Sequence, residues 1–130
     1  YTHADCKDIL PTAIYGGKID YYDTMPTVFQ HSKLNLNITL KTIQTGIPLR
    51  AWDILGCGGF LLTNFQQELC DFFIPGEDFV YYESPADAIE KAAYFLSHDR
   101  ERQEITHNAF EKIAASHTFH HRVQSMFEII

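Results

Sequence analysis

Thr45-Gly46-Ile47-Pro48-Leu49-Arg50-Ala51-Trp52-Asp53-Ile54-Leu55-Gly56-Cys57-Gly58-Gly59-Phe60-Leu61-Leu62-Thr63-Asn64 decides how this chain folds. The stretch reads as a turn, a short helix, a glycine stop and a buried strand. Pro48 suits the first helical position, where a missing N–H costs nothing. Gly56, Gly58 and Gly59 should end the helix, because glycine tolerates positive φ. Phe60-Leu61-Leu62 is an apolar run between polar residues, as in a strand covered on both faces. Arg50 is the oddity. It falls in the first helical turn, where the helix dipole disfavours a cation. An anion bound there would relieve the conflict, since free N–H groups at a helix start bind phosphate. Asp53 follows one turn later, and a carboxylate beside a phosphate site can hold ribose hydroxyls. A surface Arg50–Asp53 pair of small energetic weight explains the same residues.

Working outward, Leu34, Leu36, Ile38 and Leu40 alternate with Asn35, Asn37 and Thr39, the period of a strand. Asn35 and Asn37 share one face, which implies either a solvent-facing sheet or a ligand crevice at the strand's carboxyl end. Strands are expected near residues 14–19, 34–39, 60–64 and 78–82, and helices over Tyr22 to His31, Phe65 to Phe73 and three C-terminal segments. Ser84 should cap the first of these C-terminal helices, with Pro85 at its first position and Asp87 at its third. Its apolar stripe is expected to be Ala88, Ile89, Ala92, Ala93 and Leu96. Asp99 should cap the next helix, to about Ser116, and the last covers Thr118 to Ile130. Strands alternating with helices imply a Rossmann-like α/β domain, a parallel sheet with helices on both faces.

The chain has 130 residues, enough for one domain spanning 1–130, and 45% are hydrophobic, with 10 Phe and 7 Tyr to build a core. A net charge of −7 excludes a general nucleic-acid or anionic-membrane surface. A phosphate ligand would need a local cation, for which Lys33, Lys41 and Arg50 are the candidates. Cys6, Cys57 and Cys70 show no regular spacing, which suggests reduced thiols and a cytoplasmic setting. No signal peptide or membrane-spanning run is visible. The start at Tyr1 suggests a piece of a longer protein.

The order Asn35-Leu36-Asn37, Thr45 to Arg50, Asp53-Ile54 and Cys57-Gly58-Gly59 carries a resemblance. It continues through Gln67-Glu68-Leu69, Asp87, Arg100 and Asn108-Ala109. The chain resembles the C-terminal, donor-binding half of GT-B glycosyltransferases. The nearest group is the bacterial spore-maturation type of "glycosyl transferase group 1" domains. The resemblance implies a cytoplasmic enzyme domain that binds a nucleoside-diphosphate sugar and passes the sugar to an unknown acceptor, without cofactor or metal. It implies Arg50 as the catalytic cation on the departing diphosphate, and Asp53 on the ribose. Asn37, Gly46, Thr63, Asn64 and Glu68 are the other expected contacts to the nucleotide sugar. Thr63 and Asn64 read equally well as turn formers, and Glu68 as a helix-surface charge. An acidic residue that related enzymes often carry about eight positions before Asp53 is replaced by Thr45.

The resemblance also implies six parallel strands, of which the first two are absent here. An N-terminal acceptor-binding domain should supply the general base, so the fragment alone is expected to be inactive. Its open edge at the Ile14 strand is expected to drive self-association. Two rivals stay open: a sugar-nucleotide epimerase of the same fold, and a non-catalytic binding or structural module. His117 and His121, four apart with His120 adjoining, are spaced as two metal ligands can be, but no third ligand has a helpful spacing, so they read as structural. Cys57 reads as a small packing residue, and Phe72, Phe73, Phe79, Tyr81 and Tyr82 as core.

Overall fold

The computed structural model describes residues 17–40, 42–43 and 45–129. Its elements in chain order are α1 (Met25–His31), β1 (Asn35–Asn37), α2 (Leu49–Gly56), β2 (Leu61–Asn64), a 3-10 helix (Gln67–Asp71), β3 (Val80–Tyr82), α3 (Pro85–Ser97), α4 (Asp99–Ser116) and α5 (Phe119–Ile129). The strands form one parallel sheet in the order β1-β2-β3. Asn37 lies opposite Thr63, and Asn64 opposite Tyr82, so all three strands end at one edge. This is the expected Rossmann-like α/β arrangement.

Successive residues of β2 point to opposite faces. Leu61 joins Ala51, Ile54 and Leu55 of α2, with Leu69, Phe73, Phe79 and Ala109, in one core. Leu62 joins Phe60, Val80, Phe95 and Ile105 in the other. Helix α4 supplies Ile105 to one core and Ala109 to the other. Arg102 of α4 is buried; it donates to the carbonyl of Phe95 near the end of α3 (2.6 Å) and pairs with Asp99 (2.7 Å). That contact satisfies a carbonyl left free where α3 ends. Asp78 is buried at the turn before β3, where it accepts from the backbone N–H of Ile74 (2.7 Å) and pairs with Lys112 of α4.

Several local expectations change. Residues 14–16 of the expected first strand lie outside the described residues, and 17–20 form no strand. Pro48 is the N-cap of α2, with an extended ψ of 135°, rather than its first helical residue. The segment after β2 is a 3-10 turn, shorter than the helix expected from Phe65 to Phe73. Ser84 does cap α3, accepting from the N–H of Asp87 (3.1 Å), and Pro85 is the first helical residue. The buried residue of α3 is Phe95, whereas Ile89 of the expected stripe is 72% exposed. Phe95 packs on Phe60, 4.9 Å between ring centres, and Ile89 lies roughly 120° from it around the helix axis. His98, not Asp99, is the N-cap of α4.

The alternation in β1 also resolves against its simplest reading. Asn35 and Asn37 are the buried side, while Leu36 is 51% and Ile38 is 70% exposed. Asn35 Nδ2 donates to the carbonyls of Phe29 (3.0 Å) and Phe60 (3.3 Å), tying the end of α1 to the start of β2.

The three glycines at the end of α2 and just beyond it play different parts. Gly58 has φ +74° and turns the chain. Gly56 stays helical. Gly59 sits where α1, α2 and β1 converge. A methyl group there would lie 2.8 Å from Asn35 Nδ2, 2.9 Å from the Phe29 oxygen and 3.0 Å from the Ile54 oxygen. Two of those atoms are backbone and cannot step aside. Gly59→Ala should therefore cost about 2–3 kcal/mol in urea unfolding. Gly56→Ala, whose methyl would only touch Ile113 at 3.8 Å, should stay within about 1 kcal/mol. Equal effects at the two positions would contradict this packing.

Candidate active site at the strand ends

The carboxyl ends of the three strands open into a cleft of about 500 Å³, lined among others by Thr39, Gly46, Asn64, Gln66, Glu68 and Tyr82. In parallel α/β sheets this is where ligands bind. Its floor is a polar network. Asn37 (3% exposed) donates through Nδ2 to Thr63 Oγ1 (3.1 Å) and Thr39 Oγ1 (3.2 Å), and Thr63 is fully buried. Gln66 Nε2 also donates to Thr39 Oγ1. Asn64 accepts from the N–H of Thr39 (2.8 Å) and donates to its carbonyl (3.1 Å), so one side chain continues the sheet past β1. The Tyr82 hydroxyl donates to the Asn37 carbonyl (3.4 Å). Gln66 Oε1 is buried with no partner among the described residues.

Glu68 reaches the turn before α2 and accepts the backbone N–H of Gly46. This clasp sets the approach of α2 to the cleft. The first turn of α2 has no side-chain cap and no acidic residue. Arg50 lies in that turn and is exposed, with no ion pair to a described residue. Asp53 lies one turn along and accepts the Tyr21 hydroxyl through both oxygens, at 2.9 and 2.8 Å.

The expected site residues therefore fall into two groups. Gly46, Asn64 and Glu68 line the cleft, with Asn37 and Thr63 beneath them. Arg50 and Asp53 stand outside its lining, on the outward side of α2. Of the other cations, Lys33 precedes β1 at the opposite end of the sheet, and Lys41 lies outside the described residues. Thr39, Gln66, Tyr82 and Tyr21 join the expected residues here without a site signal in the sequence. Thr39 carried the alternation signal of β1, and Tyr21, 32 residues from Asp53, carried no local signal at all.

His117 packs among aromatic rings, 5.4 Å from Trp52 and 5.5 Å from Phe72 between ring centres. The Arg122 guanidinium lies over the same Trp52 ring at 5.5 Å. His121 bonds Thr118 Oγ1 at 2.7 Å. Among the described residues no three His, Cys, Asp or Glu are grouped to hold a metal, and no helix is long and apolar enough to cross a membrane. Burial, and then the Asp53 carboxylate, push the Cys57 thiol up from its ordinary value, which keeps it protonated.

The chain matches the glycosyl transferase-like family over residues 5–128 and belongs to that family. It is a glycosyltransferase-type domain. No curated protein and no solved structure shows a significant match to it.

Burial, then the charges of Arg122 and His121, hold His117 below the ordinary histidine value. The unfolded chain takes up this proton first, at about pH 6.5. Stability is thus full above that pH and falls as pH drops through it toward the lowered folded value. His117→Phe keeps an aromatic ring and removes the titration. Thermal melts from about pH 7.5 to about pH 5.5 should show a smaller loss of Tm in the variant than in the parent. Equal losses would reject His117 as a source of acid sensitivity.

Proposed function

We propose that this domain binds a nucleoside-diphosphate sugar and forms the donor half of a bacterial glycosyltransferase of the spore-maturation type. The observation that carries the reading is the uncapped start of α2, bearing Arg50, beside a polar cleft at the ends of parallel strands. Orphan N–H groups and a guanidinium there favour a diphosphate. Asp53 lies four residues beyond the first residue of α2, about 6 Å along the axis. That spacing suits a ribose and its 5′-diphosphate. The sugar would then extend toward Gly46, Glu68 and Asn64, over the Asn37–Thr63 floor.

In the transfer, the bond from the sugar's anomeric carbon to the diphosphate oxygen breaks, and the electron pair leaves with the diphosphate. Arg50 and the helix N–H groups stabilise that growing charge, which is where electrostatic catalysis acts most. The acceptor hydroxyl forms the new bond and gives its proton to a base from a partner domain. Asp53 orients the nucleotide and takes no part in bond breaking.

Calorimetry of the intact protein with UDP- and GDP-sugars tests this. Arg50→Ala and Asp53→Ala should each weaken binding by about 1.5–3 kcal/mol, the range for a charge-assisted hydrogen bond. Unchanged affinity in both variants rejects the site.

A further inference from the structure

Asp53 is already occupied. The Tyr21 hydroxyl sits almost equidistant from its two oxygens, at 2.9 and 2.8 Å. Tyr21 is held in place by a turn rather than by a core. Asp20 Oδ1 accepts the N–H groups of Tyr22 (2.9 Å) and Asp23 (2.7 Å), and its carbonyl accepts that of Met25 (2.9 Å). The Tyr21 ring stands edge-on to Tyr22 and is 48% exposed. Around the Asp53 carboxylate is a half-open pocket of about 230 Å³, walled by Tyr22, Met25, Phe29, Cys57 and Phe119. The pocket is thus apolar and aromatic, with one carboxylate on its wall and one hydroxyl bridging that carboxylate.

A phenol has a single proton to give, whereas an ionised carboxylate has room for about four hydrogen bonds. Two oxygens sharing one donor leave that capacity largely unused. A vicinal diol fits the same carboxylate better, with one O–H to each oxygen. Exchange of the phenol for a diol trades one charge-assisted hydrogen bond for two. The displaced hydroxyl is near the surface and returns to water, so its release costs little. The hydrogen bond to Asp53, and then burial, raise the Tyr21 hydroxyl above its ordinary value. It therefore stays a protonated donor through neutral pH.

We infer that Tyr21 is a gate on Asp53, standing in for the ribose diol of the ligand and swinging aside when a nucleotide docks. This rests on the nucleotide reading above and adds the residue that competes with the ligand. The unliganded site keeps its carboxylate satisfied, and the aromatic wall of Tyr22 and Phe119 offers a face for the base. Tyr21 is a positioning residue, since it leaves before the ligand is seated.

Calorimetry and stopped-flow binding of UDP to the intact protein decide the matter. Tyr21→Phe keeps the ring and removes the competing hydroxyl. It should tighten UDP binding about three- to tenfold, mostly through faster association. In an Asp53→Ala background the same change should do nothing, because the gate has lost its latch. In protein labelled with 3-fluorotyrosine, the 19F signal that disappears in Tyr21→Phe should shift when UDP is added to the parent. If UDP binds and Asp53→Ala weakens it, but Tyr21→Phe is unchanged or weaker, the gate is wrong and the site stands. If UDP binds equally well to the parent and to Asp53→Ala, the gate is wrong; if Arg50→Ala is unchanged as well, or if neither UDP nor GDP binds the parent, the nucleotide reading fails with it.

Discussion

The carbonyls of two helices and the side-chain amide of β1's first residue meet at Gly59 with no room for a side chain, and the rest of the molecule is built outward from that crossing. Atoms near the end of α1, near the end of α2 and in the first residue of β1 all lie within about 3 Å of where a β-carbon at Gly59 would sit. Asn35 bridges the same crossing, through its amide, to the carbonyls of Phe29 and Phe60. The consequence is positional. With Asn35 held there, β1 pairs with β2 in the register that brings Asn37 opposite Thr63. The Asn37–Thr63–Thr39 network then forms the floor of the cleft. A methyl at Gly59 would therefore disturb the site from the opposite end of the sheet, through a rigid interior that transmits strain.

The same crossing explains why β1 wears its polar residues inside. A buried amide without partners is costly, and one with partners is tolerated and fixes geometry. Asn35 and Asn37 both find partners, so the side facing α1 and α2 can be polar. Among the described residues the apolar side of β1 is left uncovered, since β1 ends the sheet there and α3 packs on β3 at the other edge. Leu36 and Ile38 are exposed as a result. Hydrophobic periodicity revealed that a strand was present and could not reveal which face was inside. That depends on the neighbours a strand meets, which are remote in sequence.

Much of the fold was legible for definite reasons. Gly-Ile-Pro-Leu-Arg and the glycine stop bracket α2, and the apolar run after Gly59 is β2. Ser84-Pro85 opens α3 with the capping bond that its sequence implies. The boundaries that shifted did so where tertiary contact outweighs local preference. Pro48 moved out to the cap, and Phe95 took the buried face of α3 from Ile89. The candidate site was legible in part. Asn64 ends β2, and parallel topology alone brings it to the cleft, whereas Gly46 and Glu68 were expected from the helix-start turn and the family resemblance. The contact of Tyr21 with Asp53 could not, since it joins a turn before α1 to the outer side of α2 without any periodic pattern.

Helix α2 is what unites these pieces, although it has only eight residues. Ala51, Ile54 and Leu55 are its buried residues and lock it into the core beneath β2. Arg50 and Asp53, three residues apart, are separated by roughly 60° around the axis and face outward. Its amino end is tied to the cleft by the Glu68 clasp on Gly46. Its carboxyl end runs into the Gly59 crossing. A helix held at both ends and along one side has little freedom to move relative to the sheet. In the site proposed above, adjustment at Asp53 must then come from the other partner, the exposed turn that carries Tyr21. The rigid element bears Asp53, and the exposed element bears the hydroxyl bonded to it. That division favours a binding site whose carboxylate is fixed in advance and whose cover is the part that yields.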